Sequence, residues 1–185
     1  MLVMIDPGHG GHKPGAMSNN GTTAEKDVAF LYSQYLSDRL RHMGFDAKLT
    51  RYADVHVGLT ERAQLANNAG ADCFVSVHCN SCEHPNTATG FEVFHYPVSI
   101  QGKALAESIN DAWEDEHQVE TRGVKSRDNL TVLRRTNMPA VLLEIGFINN
   151  DIDLAEMLDV FWMRKSILAI QGGLIDWEMG WTSRT

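Results

Sequence analysis

The stretch ADCFVSVHCN, residues 71–80, sets the register in which the rest of the chain reads. Cys73, Phe74, Val75 and Val77 form a short apolar run broken only by Ser76, and the run stops on His78. Its length and its aromatic and β-branched content suit a buried strand. Toward the N-terminus, Gly70 closes an expected helix over Leu59–Ala69, with Thr60 near its start as a cap. Before it comes a strand over 45–50, and before that Gly44 stops a helix over 26–43. There Val28, Leu31, Tyr32, Tyr35, Leu36, Leu40 and Met43 recur at helical spacing. The first strand covers residues 2–6. Toward the C-terminus the pattern predicts a strand over 91–96, a helix over 101–117 and a polar loop over 118–129. A short strand near 130–133, a continuous apolar strand over 140–145 and closing helices over 151–157 and 161–175 follow. Strands separated by helices predict a single α/β domain: a central, mostly parallel twisted sheet flanked by helices on both faces. That domain is expected over 1–178, with 179–185 as a tail or linker stub.

A chain of 185 residues suits one domain with a full core. Its formal charge of −8 and lack of a basic block argue against nucleic-acid binding by phosphate neutralisation. No apolar run approaches the roughly 20 residues that span a bilayer. The three cysteines, Cys73, Cys79 and Cys82, are too few for a disulfide framework.

Three expected strands end beside a residue able to bind metal or move a proton, where ligands collect in open α/β sheets. The first runs into Asp6-Pro7-Gly8-His9-Gly10-Gly11. These glycines match neither the dinucleotide fingerprint nor the Walker loop. They permit a sharp turn and close approach of a ligand, and on the loop alone His9 reads as a structural turn residue ahead of a ligand. The second strand ends on His78, whose imidazole needs a partner. The third carries Glu144 inside AVLLEIGF, where a buried carboxylate is costly unless paired, metal-bound or neutral. Glu25, three residues after Thr22 and at the start of the first long helix, reads locally as half of a capping box. Two histidines and a carboxylate are a common catalytic zinc set that leaves a position for water, and a further carboxylate can serve as base. His9, Glu25, His78 and Glu144 supply those parts, and their spacing leaves open whether they meet. A rival metal site lies in His78-Cys79-Asn80-Ser81-Cys82-Glu83-His84, half of a zinc knot that lacks its second pair.

In order along the chain, IDPGHGGHKPGA, the glutamate of AEKDVAF, LTRYAD, LTERAQLAN, ADCFVSVHCNS, GFEVF, RGVK and VLRRTNMPAVLLEIGFINN resemble the zinc-dependent N-acetylmuramoyl-L-alanine amidases of the amidase-3 type. These occur as bacterial autolysins and phage endolysins. The resemblance spans roughly residues 2–175. It implies that His9, Glu25 and His78 hold one Zn2+ and that Glu144 is the catalytic carboxylate. Glu144 would be base toward a zinc-activated water, then acid toward the departing alanine nitrogen. It implies peptidoglycan as substrate, cut between N-acetylmuramic acid and the L-alanine of the stem peptide. Asn80 and Arg122 are expected to line the groove, and His12 is not needed as a ligand. The alternatives are a zinc peptidase or deacetylase acting on another wall bond, and a non-catalytic wall-binding module. A monomer is expected, either joined to or lacking a separate wall-binding module. With no signal-peptide pattern, synthesis in the cytoplasm and action on the wall after release or lysis are expected.

Overall fold

A computed structural model describes residues 1–182 and contains six strands: β1 (Leu2–Pro7), β2 (Asp46–Leu49), β3 (Cys73–Asn80), β4 (Glu92–His95), β5 (Val124–Ser126) and β6 (Ala140–Phe147). The helices are α1 (Glu25–His42), α2 (Leu59–Ala69), α3 (Ile100–His117), α4 (Thr131–Arg135), α5 (Asp151–Leu158) and α6 (Val160–Thr182). All six strands join one sheet in the order β2-β1-β3-β6-β4-β5. Neighbours are parallel except β4 and β6, which pair antiparallel. The apolar runs are continuous because both faces of the sheet are covered.

Alternation along the strands divides the core in two. Val3, Ile5, Val75, Val77, Val141 and Leu143 face one way and pack with residues of α1, α3 and α6. Met4, Phe74, Phe94 and Leu142 face the other way, under Ala66 of α2 and Val132 and Leu133 of α4. This second layer is thin, since α2 has 11 residues and α4 only 5. On that same face, the alternating positions farther along β1, β3 and β6 bring in Asp6, then Ser76 and His78, and Glu144. Parity therefore delivers the polar residues to the face where helical cover is short.

Several expectations need correction. Residues 131–135 form the short helix α4, not a strand: Leu133 and Arg134 donate their N–H groups to the Leu130 carbonyl. The polar stretch 118–129 contains the edge strand β5, which adds to β4 through backbone pairing. Gly58, not Thr60, caps α2, and the Glu61 carboxylate accepts from the Gly58 N–H. Helix α6 continues to Thr182, through part of the expected tail, while residues 183–185 lie outside the described residues.

Candidate metal centre and active site

The turn that follows β1 is held from beneath by two buried arginines. Arg51 donates to the carbonyls of Pro7 and Gly8, and Arg62 to those of Pro7 and His9. Arg62 also pairs with Asp6 at 2.8 Å, and Asp6 accepts further bonds from Thr50 and Ser76. Buried charges persist where such networks satisfy them. Clamped this way, His9 adopts a left-handed backbone with φ of 57°, rare outside glycine and asparagine. Two glycines clear space for the side chains behind. A Cβ on Gly8 would stand 2.5 Å from His78 Cε1, and one on Gly15 would stand 2.4 Å from Glu25 Oε2.

Glu25 is the first residue of α1, but the expected capping box does not form. Ala24 caps the helix without a side-chain bond, and the Thr22 hydroxyl turns to Asn20. The Glu25 carboxylate points into the site instead. Its Oε1 lies 2.8 Å from His78 Nδ1 and its Oε2 lies 3.0 Å from His9 Nε2. Oε2 also accepts from the Ala16 N–H and Oε1 from the Cys79 N–H. One ligand atom from each of His9, Glu25 and His78 lies within 4.8 Å of the others, the single such metal-capable group among the described residues. Burial alone would raise the Glu25 carboxyl, but hydrogen bonds and charge from His78 and His9 outweigh it and hold the group far below the usual carboxylate range. Burial would depress His78, yet its hydrogen bond to Glu25 and that carboxylate's charge raise it. Two imidazoles and an ionised carboxylate, aimed at one another with the surrounding backbone donors satisfied, fit a divalent metal.

Glu144 stands directly opposite His78 in the β3–β6 register and opposite Glu92 in the β6–β4 register. His78, Glu144 and Glu92 thus form one row across three strands. The Glu144 Oε2 atom is buried without a hydrogen-bond partner. Burial raises its carboxyl to about 7; the His78 charge opposes this, and the negative charges of Glu25 and Glu92 add to it. A carboxyl in that range exchanges protons near neutral pH. A cleft of about 410 Å³ opens at His9 and His78, lined also by Asp6, Lys13, His56, Val57, Gly58, Leu59 and Arg62.

The two expected groove residues meet each other through Glu92. Asn80 Nδ2 donates to Glu92 Oε1 at 2.7 Å and Arg122 Nε to Glu92 Oε2 at 3.0 Å. Lys125 pairs with the same Oε2. His12 is exposed, with its ring against His56. No zinc knot forms: Cys79 is buried, Cys82 Sγ bonds the His84 carbonyl, and all three cysteines are free.

The family model described as N-acetylmuramoyl-L-alanine amidase matches residues 3–176. The chain belongs to that family of peptidoglycan hydrolases. This amidase is 34% identical over 175 residues to the Bacillus subtilis protein YqiI, covering 93% of this chain and 82% of that one. It is 33% identical over 173 residues to the probable cell wall amidase LytH of Staphylococcus aureus. That match covers 93% of this chain and 56% of LytH, so the amidase spans little more than half of that relative's length. The crystal structure of an N-acetylmuramoyl-L-alanine amidase from Clostridium difficile superposes with a TM-score of 0.91 at 31% identity, covering 95% of each chain.

The amidase carries site residues that the sequence reading missed. Glu92, in the run FEVF, is a carboxylate inside an apolar strand, the same signal that singled out Glu144. Lys125 lies in the stretch read as a polar loop. Arg51 and Arg62 lie in LTRYAD and LTERAQLAN but show no role there, because a charged residue in an amphipathic helix or at a strand exit is ordinarily solvated.

Proposed function

We propose that the chain hydrolyses the amide between the lactyl group of N-acetylmuramic acid and the L-alanine of the stem peptide, with one Zn2+ held by His9, Glu25 and His78. The observation that carries this reading is the row in which His78, one of the metal-capable trio, faces Glu144, a buried carboxyl oxygen without a partner. Zinc bound by such a set polarises a carbonyl and lowers the pKa of water to about 7. Glu144 takes the proton of the attacking water and gives it to the departing nitrogen, so an unstable amide anion never has to leave. Arg62 and Arg51 keep the His9 turn in place, which spares the site a reorganisation cost during reaction. All these residues come from one chain, so the reading requires no second subunit. In this reading the enzyme meets the wall after release from the cytoplasm or lysis.

A non-catalytic wall-binding module would have no use for a buried carboxyl oxygen without a partner. A zinc peptidase or deacetylase would share the metal logic and differ in product. Digestion of purified peptidoglycan followed by mass spectrometry separates them. New free alanine amino termini without new reducing sugar ends support the amidase, whereas cleavage inside the stem peptide or released acetate refutes it. Glu144→Gln is expected to retain zinc and lose hydrolysis by at least about a hundredfold; His78→Ala is expected to lose both.

A further inference from the structure

Glu92 is 4% exposed, yet two cations converge on it. One buried carboxylate opposite two cations leaves a surplus positive charge at the β4–β5 edge of the site. The Arg122 and Lys125 side chains are each 39% exposed, so this surplus faces solvent. Arg122 spends Nε on Glu92 and reaches the Thr89 carbonyl with Nη1 at a limiting 3.5 Å. Among the described residues no hydrogen bond engages Nη2. The guanidinium lies over the Phe147 ring at 5.1 Å, which fixes its plane without consuming its donors. The surroundings are otherwise hostile to an anion, with Glu25, Glu92 and Glu144 close by and a formal charge of −8 on the chain.

We propose that Arg122 and Lys125, pinned on Glu92 beside Glu144, form a subsite for a free carboxylate on the substrate's peptide, one residue beyond the bond that is cut. The inference rests on the proposed reaction and specifies the peptide it accepts. Glu92 is one strand away from Glu144, about 4.8 Å in the pairing direction. One peptide residue spans about 3.8 Å, so a carboxylate on the residue after the L-alanine falls within reach of the pair. A residue joined through its side-chain carboxyl, such as isoglutamate, keeps its α-carboxylate free and presents this group. A planar guanidinium takes a carboxylate through paired N–H donors, and the lysine adds a point charge. Arg122 and Lys125 are thereby specificity-determining, and the sugar is left to the cleft lined by Lys13, His56 and Leu59.

The test compares muramoyl-L-alanyl-D-isoglutamate with its isoglutamine counterpart, which differs only in carrying a neutral amide. Zinc-loaded wild type should favour the carboxylate in kcat/KM by about tenfold or more. In Arg122→Gln, and separately in Lys125→Gln, that ratio should collapse toward one at unchanged zinc content. Calorimetric binding of both compounds to zinc-loaded Glu144→Gln should show the same preference without any hydrolysis. A wild-type ratio near one, or a ratio unchanged in both variants, overturns the subsite and shows that the cations only neutralise Glu92. Preferential binding of the carboxylate compound without hydrolysis by the wild type would sustain the subsite and overturn the proposed reaction instead.

Discussion

Replacing Glu144 with glutamine should abolish hydrolysis and, at alkaline pH, stabilise the fold. The carboxyl is held at about 7 against an ordinary 4.5, chiefly by burial, with the negative charges of Glu25 and Glu92 adding and the His78 charge opposing. Ionising it in the folded protein therefore costs about 3 kcal/mol more than in the unfolded chain. A carboxyl raised in this way contributes stability while protonated, below about 4.5, and loses that contribution as pH climbs through about 7. Glutamine cannot ionise. The stability of wild type relative to Glu144→Gln should fall by about 3 kcal/mol between pH 4.5 and pH 8. Any constant offset from how the amide packs cancels in that double difference. Urea unfolding of both proteins at the two pH values, with a chelator present to keep metal away, measures it. A double difference below about 1 kcal/mol, or one of opposite sign, refutes the argument that the folded protein holds this carboxyl against its charged form.

Two further outcomes follow from the packing. Gly8→Ala puts a methyl 2.5 Å from His78 Cε1, so the imidazole must retreat by about 1 Å to reach normal carbon contact. Zinc affinity measured against a competing chelator should drop by about 10–100-fold and kcat by about a hundredfold; wild-type values for both would show that the ring is not held by this contact. His117 is buried between Trp113 and Trp162, with Nε2 near the Ser166 hydroxyl and Nδ1 unpartnered. Burial first, then the charge of Lys165, lowers it to about 4, so its stabilising contribution is present above about 6.5 and is lost as pH falls through about 4. His117→Phe should flatten the loss of thermal stability between pH 6.5 and pH 4, and a melting profile as steep as wild type over that range would count against this role.

What the sequence makes legible is governed by parity and period. Continuous apolar strands such as 73–77 and 140–143 can only be buried, so the sheet and its helices on both faces are readable. A histidine and a glutamate at the ends of such strands announce the site. The antiparallel pairing of β4 with β6 is not encoded locally, since period two is the same in either direction. Residues 130–133 defeat periodicity because Val132 and Leu133, both buried in the short α4, fit a strand equally well. Thr22 and Glu25 match a capping pattern, but tertiary partners from β3 and the β1 turn claim the carboxylate. The β5 strand is three residues long and exists through its pairing with β4, which no composition reveals.

The order of the strands has a consequence for how the site is assembled from the chain. His9, Glu25 and His78 all belong to the β2-β1-β3 half of the sheet and its first helix, complete by residue 80. Glu92 and Lys125 belong to β4 and β5, at the other edge, and Arg122 lies just before β5. The piece that joins the halves is β6, last of the strands to leave the ribosome and the one that carries Glu144. The metal-capable trio and Glu144 thus lie on separate portions of the polypeptide, and the pairing of β6 with β3 sets Glu144 opposite His78. Because side chains alternate, sliding β6 by one residue would present Leu143 or Ile145 in place of the carboxylate. The register of β6 alone therefore decides whether a carboxylate or an apolar side chain faces His78.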